Sequence, residues 1–348
     1  MLKSIKIENF KCFDSIEVDG FSRFTLVGGK NNIGKSALLE AIYLGNNYSD
    51  PSLFLNLQII RGVLKPELTQ RAISSFYHHF DTTKDFCLSY YYDDSNLNDA
   101  RLFRLSDAED VLIESKKIDA VQMDDRHFVV NIFSKTEEGK NDNLLSHFSF
   151  HNNSSRFQSI NVKNEIKVHL VAPTPNSTEN IHILFSKIDE MNRVGDIVKT
   201  LGLLFPDIKD LSLSVNYGTE IVVDIGLPKK IPISFLGYGI KKLLILLILL
   251  NASDAEIILI DEIENGFHHS IIPDVVKVLV KAATDHNKQI VATTHSYEFV
   301  KKAVEGLKDE PNDAMSFIRL GKHEGRCFSV PIDKEKLEGI IDSDWEIR

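Results

Sequence analysis

Apolar and polar positions change period several times along this chain, and each change marks an element. Residues 2–9 and 13–19 alternate, which predicts two strands with one buried face each. Phe24-Thr25-Leu26-Val27 is a short β-prone run. Residues 35–46 carry apolar positions at helical spacing, and Gly45-Asn46-Asn47 supplies a stop. Residues 53–80 predict mostly helix and include the aromatic segment Phe76-Tyr77-His78-His79-Phe80. From 85 to about 171 the period shortens. Phe86-Cys87-Leu88-Ser89-Tyr90-Tyr91-Tyr92 and His127-Phe128-Val129-Val130-Asn131-Ile132-Phe133 are β-like, and Asp/Asn/Ser/Gly clusters such as 137–143 separate the runs. This stretch predicts an antiparallel meander.

The second half returns to helices and buried strands. Residues 178–205 read as helix, and 211–225 read as a hairpin turning at Asn216-Tyr217-Gly218. Residues 239–252 form an apolar helix, and Glu256-Ile257-Ile258-Leu259-Ile260 is a strand apolar on both faces, the parallel-sheet type. Another helix over 270–286 precedes a second such strand, Gln289-Ile290-Val291-Ala292-Thr293, and 315–332 alternates again. No internal repeat and no heptad run appears in the sequence.

Gly29-Lys30-Asn31-Asn32-Ile33-Gly34-Lys35-Ser36 fits G-x-x-x-x-G-K-[ST] between a predicted strand and a predicted helix. Such a turn aims several backbone N–H groups at one point, where the helix dipole favours an anion. Lys35 is placed to reach β- and γ-phosphates, and the Ser36 hydroxyl to hold Mg²⁺. A second element, Ile257-Ile258-Leu259-Ile260-Asp261-Glu262, ends a buried strand in two carboxylates. Asp261 suits the Mg²⁺ shell and Glu262 the polarisation of an attacking water. Thr293-Thr294-His295-Ser296 follows the other buried strand, so His295 falls on the same sheet edge, where open parallel sheets bind ligands. A fourth element, Pro232 with Ile233-Ser234-Phe235-Leu236-Gly237-Tyr238-Gly239, is a second anion-ready helix start. One γ-phosphate and two such sites are reconciled by a dimer in which each chain's Ser234 region closes over its partner's nucleotide.

The order of these elements resembles the ABC-type ATPase heads of the SMC, RecF and Rad50 group. With Ile7-Glu8-Asn9-Phe10-Lys11-Cys12-Phe13 and Leu259 to His268 included, the chain is similar to ATPases of the OLD (overcoming lysogenisation defect) superfamily. The likeness is nearest to the stand-alone branch without TOPRIM found in PARIS and AbiL-type anti-phage systems; Trp345-Glu346-Ile347-Arg348 adds to it, and 85–171 contributes little. The implied fold class is α/β, an ABC-type P-loop head with the β meander between the phosphate loop and the signature. One ATPase domain over 1–348 is expected, divided into 1–80, a β-rich 81–175, a helical 176–255 with the signature, and 256–348. The resemblance implies ATP contacts at Gly29, Asn31, Asn32, Gly34, Lys35, Ser36 and Ala37, with Ser234, Gly237 and Gly239 acting across the dimer. It implies Mg²⁺ at Ser36 and Asp261, and catalysis by Lys35, Glu262 and a switch histidine, His295. Arg61 matches an arginine that SMC-type heads place near nucleotide or DNA, and equally a solvated arginine; Gln58 and Gln70 are equal candidates for a metal-watching glutamine.

Composition narrows the partners. The chain has 348 residues, 43% of them hydrophobic, enough for a packed core. A formal charge of −10 excludes a general polyanion binder, so nucleic acid would need a local basic patch such as Lys229, Lys230, Lys241 and Lys242. Three cysteines match no metal spacing and no complete disulfide framework, which fits a cytoplasmic protein. The N-terminus alternates like a strand and lacks a signal peptide's apolar core, and the run 243–250 is too short to span a membrane. The expected partners are a second copy of the chain and a separately encoded nuclease or toxin effector. A RecF-like DNA-maintenance clamp and a scaffold with incidental hydrolysis are the alternatives.

Overall fold

The strands that read as apolar on both faces lie in the middle of a six-stranded sheet. The computed structural model of the protein describes residues 1–63, 69–93, 98–107, 127–135, 143–151, 154–159, 166–173, 181–215 and 219–343. The strands in chain order are β1 (Leu2–Phe10), β2 (Phe13–Asp19), β3 (Phe24–Gly28), β4 (Phe86–Tyr92), β5 (Asn98–Asp107), β6 (His127–Lys135), β7 (Asn143–His151), β8 (Ser154–Ser159), β9 (Val168–Val171), β10 (Asp210–Ser214), β11 (Glu220–Asp224), β12 (Ile231–Pro232), β13 (Ile257–Ile260), β14 (Gln289–Thr293), β15 (Met315–His323) and β16 (Arg326–Asp333). The helices are α1 (Lys35–Asn46), α2 (Leu53–Ile60), α3 (Gln70–Ser74), α4 (Ile181–Glu190), α5 (Val194–Gly202), α6 (Tyr238–Ala252), α7 (Ile272–Asp285), α8 (Tyr297–Gly306) and α9 (Lys334–Asp342).

The central sheet has the order β16-β15-β3-β14-β13-β9. Its four pairings from β15 through β9 are parallel, with β16 antiparallel at one edge. Alternate residues of each buried strand enter opposite cores, as a period of two requires. Ile258 and Ile260 of β13 join the core under α4 to α8, whereas Ile257 and Leu259 join the core around α1. Helix α6 lies within the first core, and residues 243–250 are each at most 2% exposed. Each fully buried Leu or Ile contributes roughly 1.5–3 kcal/mol, so this run is the main apolar ballast of that side.

The second sheet, β2-β1-β4-β5-β6-β7-β8, is antiparallel throughout and faces α1. The meander is therefore no separate body: β4 pairs with β1 and continues the sheet that starts the chain. It also ends earlier than its sequence pattern predicts. Val168–Val171 pairs in parallel with β13 at the edge of the central sheet, which its nearly continuous burial explains. A small third sheet, β10-β11-β12, contains the expected hairpin, whose turn at 216–218 lies outside the described residues. The separators at 137–142 and the 345–348 ending also lie outside them.

One local expectation is corrected. Among the described residues the 53–80 stretch holds two short helices, α2 and α3, and a three-residue 3₁₀ turn at 78–80, rather than mostly helix. Helix α1 ends as expected within Gly45-Asn46-Asn47, at Asn46 with Asn47 as its cap. Gly45 is there because the ring of Tyr90 lies against it, leaving no room for a Cβ.

Candidate functional site

Three neighbouring parallel strands end at one edge and deliver the site. β3 runs into the loop 29–34 and then α1; β14 ends at Thr293; β13 ends at Asp261. The register pairs Ile260 with Ala292 and Thr293 with Val27, so the loop, the Thr293–His295 segment and the two acids are brought side by side.

The loop's shape follows from its residues. Gly29 has φ 142 and Gly34 φ 108, and a Cβ on Gly34 would meet the Phe13 ring and the Cys12 thiol. Asn32 takes φ 60, which Asn tolerates better than most residues. Every residue of α1 except Ser36 is buried, so Ser36 alone turns its hydroxyl outward at the helix start. Ala37 is buried beneath it, whereas Asn31 and Asn32 are exposed. The Lys35 ammonium folds over the loop and donates to the carbonyls of Gly29 at 2.8 Å and Lys30 at 3.0 Å. Burial lowers the Lys35 pKa, against the pull of Asp261, Glu264 and Glu262.

Thr293, fully buried, organises the acids. Its hydroxyl donates to Asp261 Oδ1 and accepts the Glu262 backbone N–H at 2.8 Å. Glu262 has φ 49, a left-handed conformation unusual for a side chain of this kind. Its Oε2 accepts from Asn265 Nδ2 at 2.6 Å. The Glu264 Oε1 accepts the His295 backbone N–H at 2.7 Å, and its Oε2 is buried with no hydrogen-bond partner. His295 itself is exposed and lines a cleft of about 750 Å³ with Gly29, Lys30, Asn31, Tyr297 and Phe317.

The fourth motif leads into α6, whose start packs on the turn that follows the two acids. Ser234 lies in a 3₁₀ turn at 233–235 and is exposed, its N–H held by Glu220 Oε1 at 3.1 Å. The neighbouring Phe235 is 75% exposed. Gly237 caps α6 in open space, while Gly239 packs its backbone on Gly266. Within one chain, Ser234 and Gly237 thus face outward.

Three side chains in and around this site escaped the motif reading. Thr293 and Glu264 were hidden inside motifs read for their neighbours. Lys242 had one signal, its place in a lysine pair that precedes an apolar run. The residue is 1% exposed, which removes it from any basic surface patch. Lys230 is engaged by Asp210 at 2.5 Å, leaving that patch weaker still. Burial brings the Lys242 pKa down to about 8, opposed by Glu264, Glu262 and Asp261.

Arg61 is not a freely solvated arginine. It makes a bidentate pair with Glu40 of α1, both contacts 2.9 Å, and its guanidinium lies 4.7 Å from the Phe76 ring centroid. Lys11 shares the same carboxylate. Burial pulls the Arg61 pKa to about 10. Gln58 is buried on α2 and Gln70 opens α3.

The family model described as "AAA domain, putative AbiEii toxin, Type IV TA system" matches residues 24–301. A Helicobacter pylori (strain ATCC 700392 / 26695) protein described as "ATP/GTP phosphatase" is 27% identical over 322 residues, covering 86% of this chain and 87% of that one. Among solved structures, the SmcHead bound to the C-winged helix domain of ScpA is 13% identical, with 97% of this chain and 99% of that chain covered and a TM-score of 0.53. The Smc head domain with an extended coiled coil, bound to the C-terminal domain of ScpA derived from Pyrococcus furiosus, is 12% identical with 99% of both chains covered and a TM-score of 0.51. The fold is that of an SMC-head-like P-loop NTPase.

Proposed function

The chain belongs to this AAA-domain family and is a P-loop ATPase of the SMC-head type, and we propose that it binds Mg-ATP between two copies of itself and hydrolyses the γ-phosphate. The observation that carries the reading is the Thr293 hydroxyl fixing Asp261 and the Glu262 backbone together, beside a Lys35 that feels both acids. In this reading the amides of Gly29, Asn31, Asn32, Gly34, Lys35, Ser36 and Ala37 cradle the phosphates. Lys35 leaves the loop carbonyls for the β- and γ-oxygens, Glu262 orients the attacking water, and His295 contacts the γ-phosphate.

The donor set fits Mg²⁺. Ser36 offers an outward hydroxyl, and Asp261 has one carboxylate oxygen engaged by Thr293, leaving the other for an ion. Few protein oxygens and several waters are what Mg²⁺ prefers. When bound, it would supply charge neutralisation on the phosphate oxygens.

Ser234, Gly237 and Gly239 act across the dimer in this proposal. The outward exposure of Ser234 and Gly237 supports that role, since neither is covered by its own chain. Gly239, half-buried against Gly266 of its own chain, would take part across the dimer by letting the α6 start that presents Ser234 and Gly237 sit close to that turn.

We assign the biological role to a sensor and scaffold subunit of an anti-phage system, controlling a separately encoded nuclease or toxin. The support is the resemblance to stand-alone OLD-type ATPases and a family description that names a toxin and a toxin–antitoxin system. The test of the chemistry is direct. Lys35→Ala abolishes nucleotide binding, whereas Glu262→Gln binds ATP and turns over about 100-fold more slowly or worse. Wild-type turnover in Glu262→Gln contradicts the role given to Glu262.

A further inference from the structure

Lys242 is the buried member of a lysine pair that precedes the apolar run of α6. It lies one turn into α6, and its Nζ donates to the carbonyls of Glu262 at 2.8 Å, Ile263 at 3.2 Å and Asn265 at 3.3 Å. An ammonium has three donors, and all three are used. The rings of Tyr238 and Phe267 stand 6.0 and 5.8 Å from it and close the site to water. Among the described residues it makes no ion pair. Its partners are backbone, all from the turn that follows β13.

That turn needs outside support. Glu262 at its start has a left-handed backbone, a conformation that persists only where the surroundings enforce it. Three carbonyls converge on one point, where the Glu262 carbonyl also takes the Asn265 N–H at 3.1 Å and the carbonyl of buried Ile263 would be costly to leave unpaired. Lys242 answers both demands. A second tie lies beside it: a side chain on Gly239 would collide with the Gly266 carbonyl, and one on Gly266 with the Tyr238 ring. From the opposite side the Thr293 carbonyl takes the Ile263 N–H at 3.0 Å. The first turn of α6 and the turn at 262–266 are thus one mechanical unit.

We propose that Lys242 is a positioning residue for hydrolysis: it fixes the turn from which the Glu262 carboxylate projects and ties that turn to the helix carrying the Ser234–Gly237 loop. The inference rests on the reading of Glu262 as the group that orients water. Lys242 touches no substrate. It acts through Glu262, so any displacement of the α6 start, the part that meets a partner's nucleotide, moves the chain's own Glu262 with it.

The experiment compares Lys242→Met, Lys242→Arg, Glu262→Gln and the Lys242→Met/Glu262→Gln pair in the full chain. Turnover, equilibrium Mg-ATP affinity and melting temperature are measured for each. The expected result for Lys242→Met is a 10- to 100-fold fall in turnover, on the order set by losing charge-assisted bonds, with ATP affinity changed by less than about threefold. Lys242→Arg restores most of that turnover. In the Glu262→Gln background the Met substitution costs less than about twofold more, because both changes remove the same function. Multiplying effects in the pair, or ATP affinity falling in step with turnover and folded fraction, would overturn the proposal and leave Lys242 purely structural. Wild-type turnover in Glu262→Gln alone instead overturns the reading beneath it. Should Lys242→Met fail to fold, Lys242→Gln, which keeps two donors, takes its place in the same comparison.

Discussion

The Thr293 hydroxyl joins two strands at the point where chemistry is assigned: it gives its proton to Asp261 Oδ1 and takes the Glu262 N–H. Both acids are therefore aligned by a residue on the neighbouring strand. Thr293→Val, similar in shape, leaves the Asp261 carboxylate without its donor and the Glu262 amide without its acceptor. We expect turnover to fall about 10- to 100-fold, the scale of one or two hydrogen bonds involving a charged group, with Thr293→Ser close to wild type. Steady-state ATP hydrolysis across a magnesium series checks this. Equal activity of the Val and Ser variants would show that the hydroxyl is dispensable.

Gly45 tests the packing between α1 and the antiparallel sheet. An alanine there meets the Tyr90 ring, whose hydroxyl also donates to the Ala41 carbonyl at 2.7 Å. Gly45→Ala should destabilise the fold by about 1–3 kcal/mol, the usual cost of overpacking. Adding Tyr90→Phe removes the nearest atom and should recover part of the loss, because ring carbons remain close. Chemical denaturation of the single and double variants reads both values.

His169 on β9 gives the protein a pH dependence. Burial holds its folded pKa near 4, with Asp254 opposing the shift and Lys288 reinforcing it, against an ordinary 6.5. Between those values the unfolded chain binds the proton more strongly, so stability is full above about pH 6.5 and declines as pH falls toward 4. The total effect is on the order of 3 kcal/mol. His169→Leu should flatten this part of the profile of unfolding free energy from pH 7 to pH 4.5. An unchanged slope would mean that other groups carry it.

Phe235 marks the surface expected to meet a second copy. A phenylalanine 75% exposed beside Ser234 makes almost no contact with its own chain. Phe235→Glu should leave ATP affinity of the isolated chain within about twofold while weakening ATP-driven association at least tenfold, as desolvating a charge at an interface is costly. Analytical ultracentrifugation over a concentration series separates the two effects.

Much of this was legible in the chain because the signals are local. The phosphate loop is contiguous, and α1 begins and ends where its periodicity predicts, at 35 and 46. The strands ending at Asp261 and Thr293 are continuous apolar runs, and their pairing in parallel follows from burial on both faces. What stayed hidden depends on contacts far apart in sequence. Val168–Val171 reads as one more meander strand, and only its place beside β13 shows that it belongs to the other sheet. Why a glycine stands at position 45, inside the last turn of α1, shows only once Tyr90 is seen against it. Lys242 reads as a surface cation because nothing in its neighbours announces the three carbonyls it serves. Arg61 acquires meaning only through Glu40.

The most direct test of the central claim is the solution mass of purified Glu262→Gln protein with and without Mg-ATP. The composite-site account predicts that Mg-ATP shifts the protein to a dimer or larger assembly, and that adding Ser234→Arg prevents the shift while ATP still binds. A mass indifferent to ATP, or an ATP-driven assembly that tolerates arginine at position 234, contradicts it.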